Sequence, residues 1–156
     1  MMDGVVDIYM PDFKYWDAEM ARKYSKVADY PEVARRTIKE TYRQVGDLVT
    51  DENGLAKRGL IVRHLVVPEN IAGTRQVMRW IARELSPTTY VNVMGQYYPA
   101  GKVSQREYAA INRRVTAWEY EAALDETWRA GLVRLDSFRP SYSGTLGPSA
   151  DGRKSF

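Results

Sequence analysis

Three apolar runs divide the chain, and each ends at a polar or aromatic hook. Val5-Val6-Asp7-Ile8-Tyr9-Met10 stops at Pro11-Asp12-Phe13-Lys14. Leu60-Ile61-Val62-Arg63-His64-Leu65-Val66-Val67 stops at Pro68, and Tyr90-Val91-Asn92-Val93-Met94 stops at Gly95-Gln96-Tyr97-Tyr98-Pro99. Short apolar runs punctuated by Pro and Gly read as strands, here about Val5–Tyr9, Leu60–Val67 and Tyr90–Met94. The second is apolar on both faces except at Arg63 and His64, as a buried parallel strand should be.

Helical spacing fills the intervals. One helical stretch covers Trp16 to about Lys26. The next has Pro31 at its first position, Ala34, Ile38, Tyr42 and Val45 on one face, and Gly46 as a left-handed stop. Leu48–Thr50 and Ala56–Arg58 flank Asp51-Glu52-Asn53-Gly54, whose Asn-Gly pair predicts a small hairpin. A third helix begins near Thr74, turns Val77, Ile81 and Leu85 inward, and ends at Ser86-Pro87. A long irregular loop follows the third strand as far as Asn112. The last helix opens on the capping box Thr116-x-x-Glu119 and buries Tyr120, Ala123, Leu124 and either Thr127 or Trp128. Gly131 stops it, and Leu132–Leu135 is at most a short terminal strand. Trp80, Trp118 and Trp128 fall on helices and are expected to pack.

A strand-then-helix rhythm predicts an α/β fold with a parallel sheet and helical crossovers. Three or four βα units fit either a small open sheet or a piece of a larger barrel. The first strand begins almost at Met1 with no helix before it, which favours a partial TIM-type (βα) barrel fragment over residues 1–136. Residues 137–156, rich in Ser, Gly and Pro, are expected to form a disordered tail.

Composition narrows the function classes. The 156 residues carry 23 basic and 20 acidic side chains, and the excess of +3 is scattered in short pairs such as Arg35-Arg36 and Arg113-Arg114. No aromatic-interleaved basic stripe accompanies them, so nucleic acid is not an expected partner. No apolar run approaches the ~20 residues that span a bilayer, and no secretory signal is expected from the first residues. The expectation is a cytoplasmic protein without a membrane partner. With no cysteine at all, the chain offers no disulfide, no thiolate metal site and no cysteine nucleophile.

With the three hooks in view, a resemblance emerges. Met10-Pro11-Asp12-Phe13-Lys14 is similar to the Asp-x-Lys strand end of radical S-adenosylmethionine (SAM) iron–sulfur enzymes of the pyruvate formate-lyase activating type. Arg63-His64-Leu65-Val66-Val67-Pro68 resembles the Arg-x-x-Val-x-Pro strand of the same enzymes, and Val93 to Lys102 resembles their last barrel strand and loop. The resemblance covers about Gly4 to Asp136 and corresponds to the C-terminal half of such a protein. It implies a partial (βα)6 barrel in which a 4Fe-4S cluster, held by a Cys-x3-Cys-x2-Cys loop, reduces SAM to a 5′-deoxyadenosyl radical. The cysteines belong to the half not represented here, so this chain is expected to carry part of the SAM and substrate pocket, no metal ligand, no complete cofactor site and no activity by itself. A glycyl-radical protein or another protein is the substrate class that the family implies.

Five residues are candidates for contact with the small-molecule cofactor. Asp12 would accept hydrogen bonds from it or hold a cation beside it, and Lys14 would supply the opposite charge; the rival reading is a local ion pair at a strand end. Arg63, a guanidinium in an apolar strand, needs a partner or a cavity and is placed near the cofactor carboxylate or ribose. Gln96 and Tyr98, with Tyr97, would line the adenine pocket, or plug the barrel mouth. His64 falls on the opposite face and reads as a satisfied structural histidine. Two other functions stay open. One is a non-catalytic half-barrel that binds a small anionic ligand or pairs with another chain, including self-association through an open strand edge. The other is an unrelated βα enzyme that uses Asp12, Lys14 and Arg63 for polar catalysis.

Overall fold

One strand, β3 (Ala56–Leu65), organises the sheet, because every other strand pairs with it. The computed structural model describes residues 3–104 and 106–136. Around β3 lie β1 (Ile8–Tyr9), β2 (Val49–Thr50) and β4 (Tyr90–Met94), with helices α1 (Ala18–Ser25), α2 (Tyr30–Val45), α3 (Thr74–Glu84) and α4 (Ala117–Arg129) in the connections. β1 runs parallel to β3 at Ile8–Gly59 and Tyr9–Leu60, and β4 runs parallel to it from Ile61–Tyr90 to Leu65–Met94. The three principal strands are therefore parallel and adjacent in chain order, as the βα rhythm requires. The Asn-Gly hairpin adds β2 antiparallel at Val49–Arg58, which makes the sheet mixed. An isolated parallel bridge from Leu135 to Val91 extends it past β4.

The result is a small open α/β sheet. Among the described residues nothing closes it into a barrel, and the outer edge of β1 carries no strand. β1 is also shorter than the apolar run Val5–Tyr9 suggests. Pro11 has no N–H to give to a ladder, and pairing resumes only as an isolated bridge at Asp12–Arg63.

Alternation along the strands assigns the two faces. Leu60, Val62, His64, Val91 and Val93 are buried, while Ile61, Arg63, Leu65, Tyr90, Asn92 and Met94 are half-buried. The buried face packs with Ile38 of α2, Val77, Met78 and Ile81 of α3, and Tyr120 and Ala123 of α4. Full burial of each such aliphatic side chain contributes roughly 1.5–3 kcal/mol, which makes this layer the main source of stability. The opposite face has no helix over it among these packing contacts, and the polar strand residues lie there.

Local chemistry sets the helix ends. The Asp17 carboxylate accepts from the N–H groups of Glu19 and Met20, and the Thr116–Glu119 capping box is formed in both directions. Gly46 ends α2, after which Leu60 N–H donates to the Gly46 carbonyl at 3.0 Å. This crossing demands Gly59: at φ +125° a Cβ there would lie 2.4 Å from the Asp47 carbonyl oxygen.

Two expectations about tryptophan need correction. Trp80 does pack, edge-on to Phe13 with ring centroids 5.5 Å apart. Trp118 and Trp128 do not: they are 75% and 55% exposed. The inner stripe of α4 runs through Tyr120, Ala123 and Thr127, where the Thr127 hydroxyl finds a partner in the Ala123 carbonyl at 2.7 Å. The loop after β4 contains two 3-10 turns, Gly101–Ser104 and Arg106–Ile111. Tyr108 and Ile111 from the second join Val67 and Ala72 in a small satellite core. The expected tail, 137–156, lies outside the described residues. Among those residues, no helix is long and apolar enough to cross a membrane.

Candidate functional site

Parallel register places four polar residues side by side on the open face. Asp12 bridges to Arg63, Arg63 stands opposite Asn92, and the Asn92 amide donates to the Asp136 carboxylate at 2.7 Å. The row crosses β3 near its C-terminal end and β4 at its middle, one turn of the pleat short of the edge where open α/β sheets receive ligands. Beside it lies a groove of about 510 Å3 walled by Met10, Arg63, Asn92, Met94, Gln96 and Asp136.

Asp12 is held from both its backbone and its side chain. The Arg63 N–H donates to the Pro11 carbonyl at 2.9 Å, and the Phe13 N–H donates to the Arg63 carbonyl at 2.8 Å. The Tyr30 hydroxyl, on α2, donates to the Asp12 carbonyl and accepts from the Lys14 N–H. Burial is the first cause that pushes the Tyr30 phenol up from its ordinary pKa. On the side chain, Arg63 Nε and Nη2 both reach Asp12 Oδ1 at 2.7 Å, while Lys14 Nζ stands 3.5 Å from Oδ2. With two of its five N–H donors directed at Asp12, the guanidinium retains donors for the groove that it lines.

His64 secures the same segment from the buried side. Its Nδ1 lies 2.7 Å from the Phe13 carbonyl, and its Nε2 lies 2.9 Å from the Thr74 hydroxyl at the start of α3. A carbonyl only accepts, so Nδ1 carries the proton and Nε2 accepts from Thr74. Burial pulls the imidazole pKa down to about 4, against the opposing pull of the Phe13 carbonyl. This is the satisfied structural histidine that strand alternation suggests.

The structure thus brings together Asp12, Lys14 and Arg63 as one charged cluster; of these Arg63 lines the groove, together with Gln96, while Asp12 borders the hollow beside α2. Tyr98 stands apart: it is exposed, and the Arg114 guanidinium lies 4.9 Å from its ring centroid. Tyr97 turns inward and donates to the Ile111 carbonyl at 2.9 Å, anchoring the loop at the mouth. Asn92 and Asp136 are the members of the row that the sequence reading missed. For Asn92 a signal existed, a polar residue at the half-buried alternation of an apolar strand. Asp136 had none.

A second concavity of about 480 Å3 lies between α3 and α4, bordered by Trp118. Its acidic residues Glu119 and Glu126 are engaged by Arg113 and Arg75 at 2.8 and 2.7 Å, so the chemistry concentrates on the strand row instead. As for metals, a 4Fe-4S cluster requires thiolate ligands and the chain has no cysteine. Among the described residues, no three His, Asp or Glu side chains group to hold another metal ion. The residues present do not fit a cluster.

No family model matches the chain, and no solved structure matches it. It is 36% identical over 126 residues to an uncharacterized protein of Methanocaldococcus jannaschii, a match that takes in 80% of this chain. The chain spans about a third (32%) of the length of that curated relative.

Proposed function

We propose that this chain is the C-terminal portion of a radical SAM protein related to the pyruvate formate-lyase activating type, and that its strand-edge groove is part of a SAM and substrate pocket. The observation that carries the reading is the arrangement of Asp12, Lys14, Arg63 and Gln96. These residues, drawn from three separate motifs, converge at one edge of three parallel strands. In this reading the open sheet is a segment of a partial barrel. The cluster, which supplies the electron for SAM cleavage, is held by another part of the protein, since no donor set for it exists here.

The residues present do fit the polar groups of SAM. Arg63 offers N–H donors suited to a carboxylate, the Asp12 carboxylate accepts from hydroxyl or amine groups, and the Gln96 amide does both. Met10 and Met94 give the groove an apolar wall. The match to a relative about three times as long agrees with a role as one part of a larger protein. A glycyl-radical or other protein remains the proposed substrate class.

Equilibrium dialysis with labelled SAM tests this, on the chain alone and on the chain co-expressed with the polypeptide encoded upstream of it. Saturable binding that Arg63→Ala weakens about tenfold is the expected result, the loss of one charge-assisted contact. No binding by either preparation, or binding indifferent to Arg63→Ala, overturns the assignment. One observation favours a second reading, a non-catalytic half-barrel that pairs with another chain. The free edge of β1 exposes Val5, Ile8 and Met10 beside a hollow of about 330 Å3 lined by Pro11, Val27, Val33 and Ile38. Stoichiometric pairing without SAM affinity would establish that alternative.

A further inference from the structure

Asn92 keeps an open acceptor beside the open donors of Arg63. Its Nδ2 donates to the Asp136 carboxylate at 2.7 Å. A carboxylate only accepts, so this contact decides which end of the amide carries the nitrogen. The segment that holds Asp136 joins β4 through the Val91–Leu135 bridge, on the side away from β3. The amide is planar, so turning Nδ2 outward leaves Oδ1 on the side away from Asp136, where Arg63 stands as the register partner of Asn92. Among the described residues no donor reaches Oδ1, and none of their buried side-chain polar atoms lacks a partner, so this oxygen is not buried. Arg63 directs Nε and Nη2 at Asp12, which leaves three of its five N–H groups. Both side chains belong to residues that line the groove.

We propose that Asn92 recognises the second reactant by an uncharged amide group, whose N–H donates to Oδ1 while its carbonyl accepts from Arg63. This deepens the reading given above and rests on it for the identity of the other reactant. A SAM carboxylate takes two of the three remaining Arg63 N–H groups as a fork, and one is left for the amide carbonyl. Register partners on adjacent strands stand ~4.8 Å apart, a span that one amide bridges with a hydrogen bond at each side. Other groups fit worse. A second carboxylate would set an acceptor against Oδ1. An ammonium would meet the excess positive charge of Arg63 and Lys14, which share the one carboxylate of Asp12. Met10 and Met94 line the same groove and suit the apolar flanks of an amide.

Saturation-transfer NMR titration of the full chain tests the proposal. N-methylacetamide is the probe, and methyl acetate, in which an ester oxygen replaces the N–H, is its control. The amide should bind about fivefold more tightly than the ester, the contribution of one neutral hydrogen bond. In Asn92→Val, which keeps a strand-forming side chain, the ratio of the two affinities should fall to about one. Asn92→Ala, which needs no new space, should give the same ratio. The ratio is internal to each sample, so a loss of stability that weakens both probes leaves it unmoved, and the His64 imidazole resonance reports that each variant is folded. Propionamide distinguishes the sources of the amide: tighter binding than N-methylacetamide identifies a primary carboxamide, equal or weaker binding a peptide unit, and either supports the site. Equal affinity for amide and ester in the wild-type chain, or an amide preference unchanged in both variants, overturns it. Absence of SAM binding to the same wild-type chain in equilibrium dialysis would instead overturn the assignment on which it rests, so the two failures are separable.

Discussion

His64 makes the pH dependence of this fold calculable. It is the only histidine in the chain and is fully buried, with a folded pKa near 4 against an ordinary value of 6.5. The folded value is the lower one, so on acidification the unfolded chain takes up a proton first. The stability linked to this group is fully present above pH 6.5 and is lost as the pH falls towards 4. The gap of ~2.5 units corresponds to about 3.4 kcal/mol in total, of which about 2 kcal/mol is gone at pH 5. Against a net stability of ~5–15 kcal/mol for an ordinary domain, that is a large fraction. Two glutamates paired with arginine are pulled below this pH range. The Arg43 guanidinium holds Glu40 down to about 2, and Arg113 holds Glu119 well below the usual range. Between pH 7 and 5 the histidine therefore dominates. Urea unfolding followed by circular dichroism at half-unit steps should show this loss, and the single imidazole resonance should not titrate until near pH 4. His64→Gln should be less stable at pH 7 yet nearly flat between pH 7 and 5. A native imidazole that titrates near 6.5, or a His64→Gln variant with the wild-type slope, would refute the reasoning.

Other substitutions test other parts of the account. Gly59→Ala drives a Cβ to 2.4 Å from the Asp47 carbonyl oxygen at φ +125° and should cost about 2–3 kcal/mol or more in urea unfolding. Thr116→Ala removes a formed capping box and should cost about 1 kcal/mol by the same assay, with the loss greatest in the amide protection of α4. Trp118→Ser, by contrast, should change stability by less than about 0.5 kcal/mol, because the side chain is 75% exposed. Anaerobic incubation of the chain with iron and sulfide should yield no charge-transfer absorbance, since it supplies no thiolate. A stoichiometric, reducible cluster on the isolated chain would contradict that directly.

How much of this was legible in the sequence depended on how local its cause was. The Thr116–Glu119 box, the Gly46 stop and the run Tyr90–Met94 are decided within a few residues, and the structure places these elements where the pattern puts them. The parallel order of β1, β3 and β4 followed from the spacing of strands and helices. Contacts decided across the fold were not legible. Asn92 meets Arg63 only through strand register, and Asp136 reaches Asn92 only after α4 has returned the chain to the sheet edge. Tyr98 looked like a pocket residue because it follows Gln96 and Tyr97, but a loop carries it to Arg114. Likewise α4 buries Thr127 in preference to the larger Trp128, because the stripe set by Tyr120 and Ala123 selects the position and not the residue.

As a network, the sheet is a star with β3 at its hub. Among the described residues no two of the outer strands pair with each other, so each ladder can open without breaking another, and none survives the loss of the hub. The arms are unequal. β4 is tied by five register pairs, whereas β1 is tied by two and a bridge. Amide exchange should therefore be slowest along Leu60–Leu65 and appreciably faster at Tyr9 and Phe13. Asp12, the acidic member of the row at its β1 end, is thus mounted on a lightly tied arm, with its side chain fastened to the hub through Arg63. Any molecule that engages Arg63 and Asp12 together acts as a rivet between arm and hub. Its affinity and the slowing of exchange at Phe13 should rise and fall as one quantity.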